Sequence, residues 1–174
     1  MTSTPGFRRA VRRACTPALL LVALSLVGCG AGEPVAGGGD PLPEFRLASL
    51  AGEQMGNAEL AGKVVLLDFW ATWCAPCHLQ ADILRELYPE VSGRGVEFVA
   101  IAVGEPEDVV RDFVAEHPFP YPALVDPEDE MSAKLRILGL PTLIVVDREG
   151  KIVYRNLGIS DRQALLAAFE RAGA

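Results

Sequence analysis

The most constraining feature of the sequence is an apolar run of strand length that is followed at once by two closely spaced cysteines. The run extends from Val64 to Trp70, and Cys74 and Cys77 come after a short turn. Apolar residues then recur with helical spacing, at Leu79, Ile83, Leu84 and Leu87. This stretch predicts a strand, a turn and a helix, with a dithiol at the start of the helix.

The position of Cys74 favours thiol chemistry. A helix that begins near Ala75 and Pro76 directs its unsatisfied N–H groups and the positive end of its dipole towards Cys74. These groups stabilise a thiolate, so we expect a lowered pKa at Cys74 and a nucleophilic sulfur. Cys77 lies one helical turn further on, within disulfide reach, and can resolve a mixed disulfide that forms at Cys74.

Other chemistries use the same residue types. Cys74 to His78 matches Cys-x-x-Cys-His, the attachment signature of c-type haem, although haem attachment does not require the apolar strand and the two tryptophans upstream. A zinc site would need a second ligand pair, and the other histidine, His117, stands in an isolated His-Pro step. Two thiolates and a distant imidazole could carry copper, and a purely structural cysteine pair is the remaining alternative.

Two short motifs together resemble the thioredoxin superfamily. They are Trp73-Cys74-Ala75-Pro76-Cys77 and Leu140-Pro141-Thr142, and the wider pattern is similar to the membrane-anchored, extracytoplasmic TlpA/ResA-like branch. The similarity extends from about Leu42 to the C-terminus. It implies an α/β thioredoxin fold, in which helices flank a central mixed β-sheet. An N-terminal hairpin around Phe45–Leu47 and Gln54–Met55 and a strand-helix insertion between Cys77 and Pro141 are expected with it.

The resemblance also implies a role for Asp68. In thioredoxins, an aspartate six residues before the first cysteine lies buried behind the dithiol and assists proton transfer for the second cysteine. Asp68 would accordingly have a raised pKa and act as general base or acid for Cys77. The alternative is an aspartate at the end of a strand that is bonded to local amides.

Substrate contact is implied at a second segment. In this family the proline at Pro141 is cis and faces the dithiol, and the residue before it offers backbone groups to an extended substrate. We therefore expect Trp73, Leu140 and Pro141 to contact the substrate. The redox-active disulfide of Cys74 and Cys77 would need no cofactor and no metal.

Two positions depart from related patterns. Family members that serve cytochrome c maturation commonly carry Glu three residues after the second cysteine, whereas this chain has Gln80, and a neutral amide cannot tune the thiols by charge. This departure weakens the expectation of a role in cytochrome c biogenesis. A thiol peroxidase of related fold would need Thr three residues before its catalytic cysteine, but Ala71 stands there and Thr72 comes one residue later.

The N-terminus has the pattern of a lipoprotein signal peptide, which we assign to residues 1–28. Four arginines precede an apolar stretch, Pro17 to Val27, that is too short to span a bilayer comfortably. Leu26-Val27-Gly28-Cys29 resembles the bacterial lipidation signal, so we expect an acylated N-terminus at Cys29. An ordinary secretory signal with an incidental cysteine is the alternative. Residues 29–41, rich in Gly, Ala and Pro, predict a flexible tether, and residues 42–174 the thioredoxin-like domain.

Localisation and partners follow from these segments. Removing residues 1–28 takes away four arginines and no acidic residue, so the formal charge falls from −7 to −11 and leaves no basic patch for nucleic acid. Cys15 is then lost and Cys29 is acylated, so only Cys74 and Cys77 remain as thiols, which favours redox use of the pair. We expect a monomer in the bacterial cell envelope that reduces exported proteins and is reset by a membrane electron donor.

Two helix starts complete the pattern. Glu105-Pro106-Glu107-Asp108 predicts a helix with acidic residues in its first turn. Ser160 and Gln163 fit a capping box for the last helix.

Overall fold

The structure is a computed structural model that describes residues 1–2 and 39–174. Residues 3–38 lie outside the described residues, and they include Cys29, most of the tether and all but the first two residues of the predicted signal peptide. Residues 39–174 fall within one compact unit. Its strands are β1 (Arg46–Ser49), β2 (Gln54–Gly56), β3 (Val64–Trp70), β4 (Val96–Val103), β5 (Ala123–Asp126), β6 (Thr142–Val146) and β7 (Ile152–Leu157). Its helices are α1 (Asn57–Leu60), α2 (Ala75–Val91), α3 (Glu107–Glu116), α4 (Glu130–Lys134) and α5 (Arg162–Arg171), and a 3₁₀ turn covers Ser92–Arg94.

The seven strands form one mixed sheet in the order β2-β1-β5-β4-β3-β6-β7. Strand β3 pairs in parallel with β4, as β4 does with β5, while the other pairs are antiparallel. This architecture confirms the predicted thioredoxin-like fold. The expected hairpin of β1 and β2 is also present, and it extends the sheet because β1 pairs with β5.

Alternate side chains of β3 point to opposite faces of the sheet, as strand geometry requires. Val64, Leu66 and Trp70 join the core on the face that carries α2, α3 and α5. Residues 65, 67 and 69 join the core with α1 and α4. The alternation places Asp68 on the same face as α2, the helix that carries the dithiol.

The start of α3 agrees with the sequence prediction, and the start of α5 differs from it. Helix α3 begins at Glu107, with Pro106 as its N-cap, so Glu107 and Asp108 lie in its first turn and Glu105 lies before the helix. The N-cap of α5 is Asp161, whose carboxylate accepts a hydrogen bond from the Ala164 N–H at 2.8 Å. The predicted Ser160 cap is therefore wrong by one residue, because the Ser160 hydroxyl is bonded to other side chains instead.

Candidate functional site

The two cysteines lie at the N-terminus of α2, as predicted. Cys74 is the N-cap residue, and Pro76 occupies the first turn, where no N–H is needed. The sulfurs of Cys74 and Cys77 form a disulfide, with 5.3 Å between the Cα atoms. Cys77 and His78 donate their backbone N–H groups to the Cys74 carbonyl, so the first helical turn fixes the position of this residue.

The two cysteines are buried, but the residue before them is exposed. Cys74 and Cys77 are 4% and 2% exposed, whereas Trp73 is 73% exposed. A large aromatic side chain that lies in solvent beside a buried reactive group is a candidate contact for a partner.

The Leu140–Pro141 segment lies at the same end of the sheet. Its peptide bond is cis, as the resemblance implied. The next residue, Thr142, begins β6 and pairs with Phe69 near the end of β3. The Thr142 hydroxyl donates to the Gly139 carbonyl at 2.7 Å, and the Pro141 carbonyl accepts from the Gly158 N–H at 2.8 Å, so both sides of the segment are fixed. Leu140 itself is partly buried against the core. We call residues 71–74 and 138–141 the front loops.

A cavity of about 220 Å³ lies on the other side of the dithiol. We call it the rear cavity. Its wall includes Asp68 and Cys77, together with residues of α2, α3 and the segment after α3. The other lining residues are Trp70, His78, Ala81, Asp82, Arg85, Phe113, His117 and Phe119. The structure thus brings Asp68 and the second cysteine to one cavity, as the resemblance implied.

Asp68 is 2% exposed, and burial raises the pKa of its carboxyl to about 7. Within the described residues, the Oδ1 atom of Asp68 has no hydrogen-bond partner, nor does the neighbouring Trp70 Nε1. The alternative of an aspartate bonded to local amides therefore fails to account for Oδ1. A carboxyl with a pKa near 7 can both accept and return a proton at neutral pH.

Glu105 is a site residue that the sequence analysis missed. It is 7% exposed, and its carboxylate accepts hydrogen bonds from both the N–H and the hydroxyl of Thr72. The Thr72 carbonyl in turn accepts a hydrogen bond from His78 Nε2 at 2.9 Å. His78 is exposed, as expected, but it connects α2 to the loop before the dithiol. A glycine at the end of β4, directly before Glu105, was the available signal that the chain turns at this point.

Gln80 has a contact that its position in sequence did not suggest. Its side chain is completely buried, and its Oε1 atom accepts a hydrogen bond from the Ser160 N–H at 2.7 Å. The Ser160 hydroxyl is bonded to Tyr154 and Asn156. Gln80 therefore joins the helix of the dithiol to the loop between β7 and α5.

The described residues favour neither a metal site nor a thiol peroxidase. The described residues contain no cluster of three or more His, Cys, Asp or Glu side chains that could hold a metal ion. Thr72, which lies one residue after the position of the peroxidase threonine, donates its hydroxyl to Glu105. Among the described residues, no helix has the length and apolar character needed to cross a membrane.

Comparisons with known proteins agree with this geometry. The Redoxin family model matches residues 38–171. The thiol–disulfide oxidoreductase ResA of Bacillus cereus is 32% identical over 127 residues, which are 73% of each chain. A putative thiol:disulfide interchange protein DsbE from Chlorobium tepidum superimposes with a TM-score of 0.72 at 27% identity, covering 77% of this chain and 96% of the other. A DsbF homologue from Corynebacterium diphtheriae gives a TM-score of 0.71 at 26% identity, covering 83% and 96%.

The family match spans most of the chain, and the curated relative shares nearly a third of its residues over the same region. The thioredoxin-like fold, the cysteine at the N-cap of α2 and the disulfide all agree with that match. The chain belongs to the Redoxin family and is a ResA-like thiol–disulfide oxidoreductase.

Proposed function

We propose that this protein is a lipid-anchored reductase of disulfides in exported proteins, and that it acts outside the cytoplasmic membrane. The observation that carries the redox part of the proposal is the Cys74–Cys77 disulfide at the N-terminus of α2, with Asp68 in the cavity behind it. The anchor and the location rest on the sequence pattern around Cys29. The α2 N-terminus stabilises an anion, and Asp68 offers a proton acceptor at neutral pH.

The reaction proceeds in two exchange steps. In the first, the Cys74 thiolate attacks a target disulfide, forms a mixed disulfide and releases one target sulfur as a thiolate. In the second, Cys77 gives its proton to Asp68 and attacks the Cys74 sulfur. The bond between Cys74 and the target then breaks, the second target sulfur leaves as a thiolate, and Cys74 and Cys77 become oxidised. The proton held by Asp68 and one from water convert the two target thiolates to thiols. A membrane electron donor returns two electrons to the pair, so no other cofactor is needed.

Exposed apolar side chains near the site support a protein substrate. Trp73 and Leu138 are 73% and 88% exposed, and each belongs to one of the front loops. Leu157 is also exposed and lies beside Gly139, at the base of the second loop. Together with the cis Leu140–Pro141 segment, these exposed apolar side chains of the two front loops suit contact with an extended polypeptide.

The direct test is insulin reduction with dithiothreitol as the electron source. The wild-type protein should accelerate precipitation of the insulin B chain, and Cys74→Ser should not. An equal rate for the two proteins would contradict the proposed activity. Equilibrating the Cys74–Cys77 pair with dithiothreitol tests whether the protein acts as a reductase or as an oxidant. The reduction potential of a reductase should lie closer to that of thioredoxin than to that of DsbA, and these two potentials differ by about 150 mV.

The anchor is tested separately. We propose signal cleavage before Cys29, acylation at Cys29 and a flexible tether over residues 29–41. Mass spectrometry should find two or more acyl chains on the N-terminal residue, and Cys29→Ser should release the domain from the membrane fraction. An unmodified Cys29 in a soluble wild-type protein would contradict the anchor while leaving the enzymatic activity intact. Size-exclusion chromatography with light scattering of residues 42–174 tests the expected monomer.

A further inference from the structure

Every hydrogen-bonding group of Thr72 is held by a side chain from another element. Its N–H donates to Glu105 Oε2 at 2.7 Å, and its hydroxyl donates to Glu105 Oε1. Its carbonyl accepts from His78 Nε2 at 2.9 Å. Glu105 and His78 thus fix the loop between β3 and α2 from two sides.

The fold delivers Glu105 to this position through a sharp turn. Gly104 has φ +67°, in the left-handed region, and a Cβ at this position would approach the Asp129 carboxylate to 3.0 Å. Because glycine alone adopts this conformation without strain, the chain can reverse after β4 and place Glu105 before α3. The His78 ring stacks on Phe113 of α3, with 5.1 Å between the ring centroids. Both side chains that hold Thr72 are therefore themselves supported by the α3 region.

The residue that depends on this support is Trp73 rather than Cys74. The backbone of Cys74 is already fixed by the first turn of α2, since its carbonyl accepts from two N–H groups. Trp73 is 73% exposed, and within the described part of the chain no aromatic ring packs against it. Because most of its side chain lies in solvent, the placement of Trp73 depends chiefly on its backbone, which follows directly from Thr72.

We propose that Glu105 is a positioning residue that selects for protein disulfides by holding Trp73 in its exposed orientation. The proposal rests on the function proposed above. It assigns Glu105 to recognition of the polypeptide that surrounds the target disulfide and not to the chemistry at sulfur. Loss of the carboxyl should therefore slow the reaction with a protein and spare the reaction with a small disulfide.

The experiment compares two oxidants of the reduced protein in single-turnover kinetics. For Glu105→Ala, we expect the second-order rate constant with insulin to fall about tenfold, because Thr72 loses both hydrogen bonds to the carboxylate and Trp73 is no longer held in one orientation. The rate constant with 5,5′-dithiobis(2-nitrobenzoate) should stay within about twofold of wild type, which also shows that the variant is folded. Glu105→Gln should retain most of the insulin rate, because an amide can accept from the Thr72 N–H and donate to its hydroxyl.

Glu107→Ala is the matched control, since Glu107 lies two residues further on, is exposed and pairs with Arg111. It should leave both rate constants unchanged. Amide hydrogen exchange at Thr72 gives a readout that needs no activity: it should accelerate at least about tenfold in Glu105→Ala and not in Glu105→Gln. Equal losses with both oxidants, an unchanged insulin rate or unchanged exchange at Thr72 would each overturn the proposal. A wild-type protein that is inert towards insulin but shows the exchange pattern would instead contradict the proposed function.

Discussion

The front loops and the rear cavity each include one of the two cysteines but differ in character: Cys74 belongs to the front loops, and Cys77 lines the rear cavity. The front loops carry Trp73 and the cis Leu140–Pro141 segment, and they expose large apolar side chains. The rear cavity is lined by the buried Asp68 carboxyl, with aromatic walls. The contrast separates two tasks: the front loops suit recognition of a polypeptide, and the rear cavity suits proton transfer. Substitutions on each side should therefore change different steps.

The contrast between the two sulfurs should give the largest effect. Because Cys74 caps α2 and Cys77 adjoins the rear cavity, we expect only Cys74 to attack a target. Cys77→Ser should accumulate a mixed disulfide with a denatured exported protein, at one target per enzyme molecule. Cys74→Ser should accumulate none. Non-reducing electrophoresis followed by mass spectrometry of the linked peptide measures both, and trapping through Cys77 in the Cys74→Ser protein would reverse the assignment.

Asp68 should also govern how the stability of the oxidised protein depends on pH. The folded protein keeps this proton up to about pH 7, whereas the unfolded chain releases it near the ordinary value of 3.8. The native state binds more protons between these values, so the free energy of unfolding should fall as pH rises through the window, by up to about 4 kcal/mol. Asp68→Asn should lack this fall. Urea denaturation from about pH 4 to pH 8 measures this pH dependence. If the free energy of unfolding changed with pH equally in the two proteins, the raised pKa of Asp68 would be contradicted.

The same substitution should slow one kinetic step. If Asp68 is the proton acceptor for Cys77, as proposed, Asp68→Asn should slow resolution of the mixed disulfide about a hundredfold, within the range of general acid–base catalysis. In the wild-type protein this step should accelerate as pH rises through about 7, because Asp68 becomes ionised there. The initial attack by Cys74 should not change. Stopped-flow kinetics separate the two steps. If the rates of attack and of resolution fell equally, the assignment of proton transfer to the rear cavity alone would be refuted.

Trp73→Ala tests the front loops with a smaller expected effect. Removal of the exposed indole should lower the rate with insulin about tenfold, as expected for an aromatic contact worth 1–2 kcal/mol. The rate with a small disulfide should remain close to wild type. Val109→Ala, an exposed apolar residue on α3, serves as a control with no expected change. A loss of similar size with both oxidants would mean that Trp73 acts on the thiol and not on the substrate.

The sequence predicted the features that are local in the chain. The strand, the turn and the helix-capping Cys74 follow from spacing over a few residues, and the family motif indicated Asp68 and the cis Pro141. The sequence did not predict the contacts made by Glu105 and Gln80. Each depends on a partner that is distant in the chain, Thr72 at 33 residues and Ser160 at 80 residues. Only the packing of β4, α3 and the loop after β7 around α2 brings these groups together, and no local pattern reports it.

The most direct test of the account is a titration of the Cys74 thiol in the reduced protein. Thiolate absorbance should be followed against pH in a Cys77→Ser background, so that a single sulfur of the pair is observed. If the N-terminus of α2 stabilises the anion, the pKa of Cys74 should lie clearly below the value of about 8.5 for free cysteine. A pKa at or above that value, with no reaction towards oxidised insulin, would contradict the central claim.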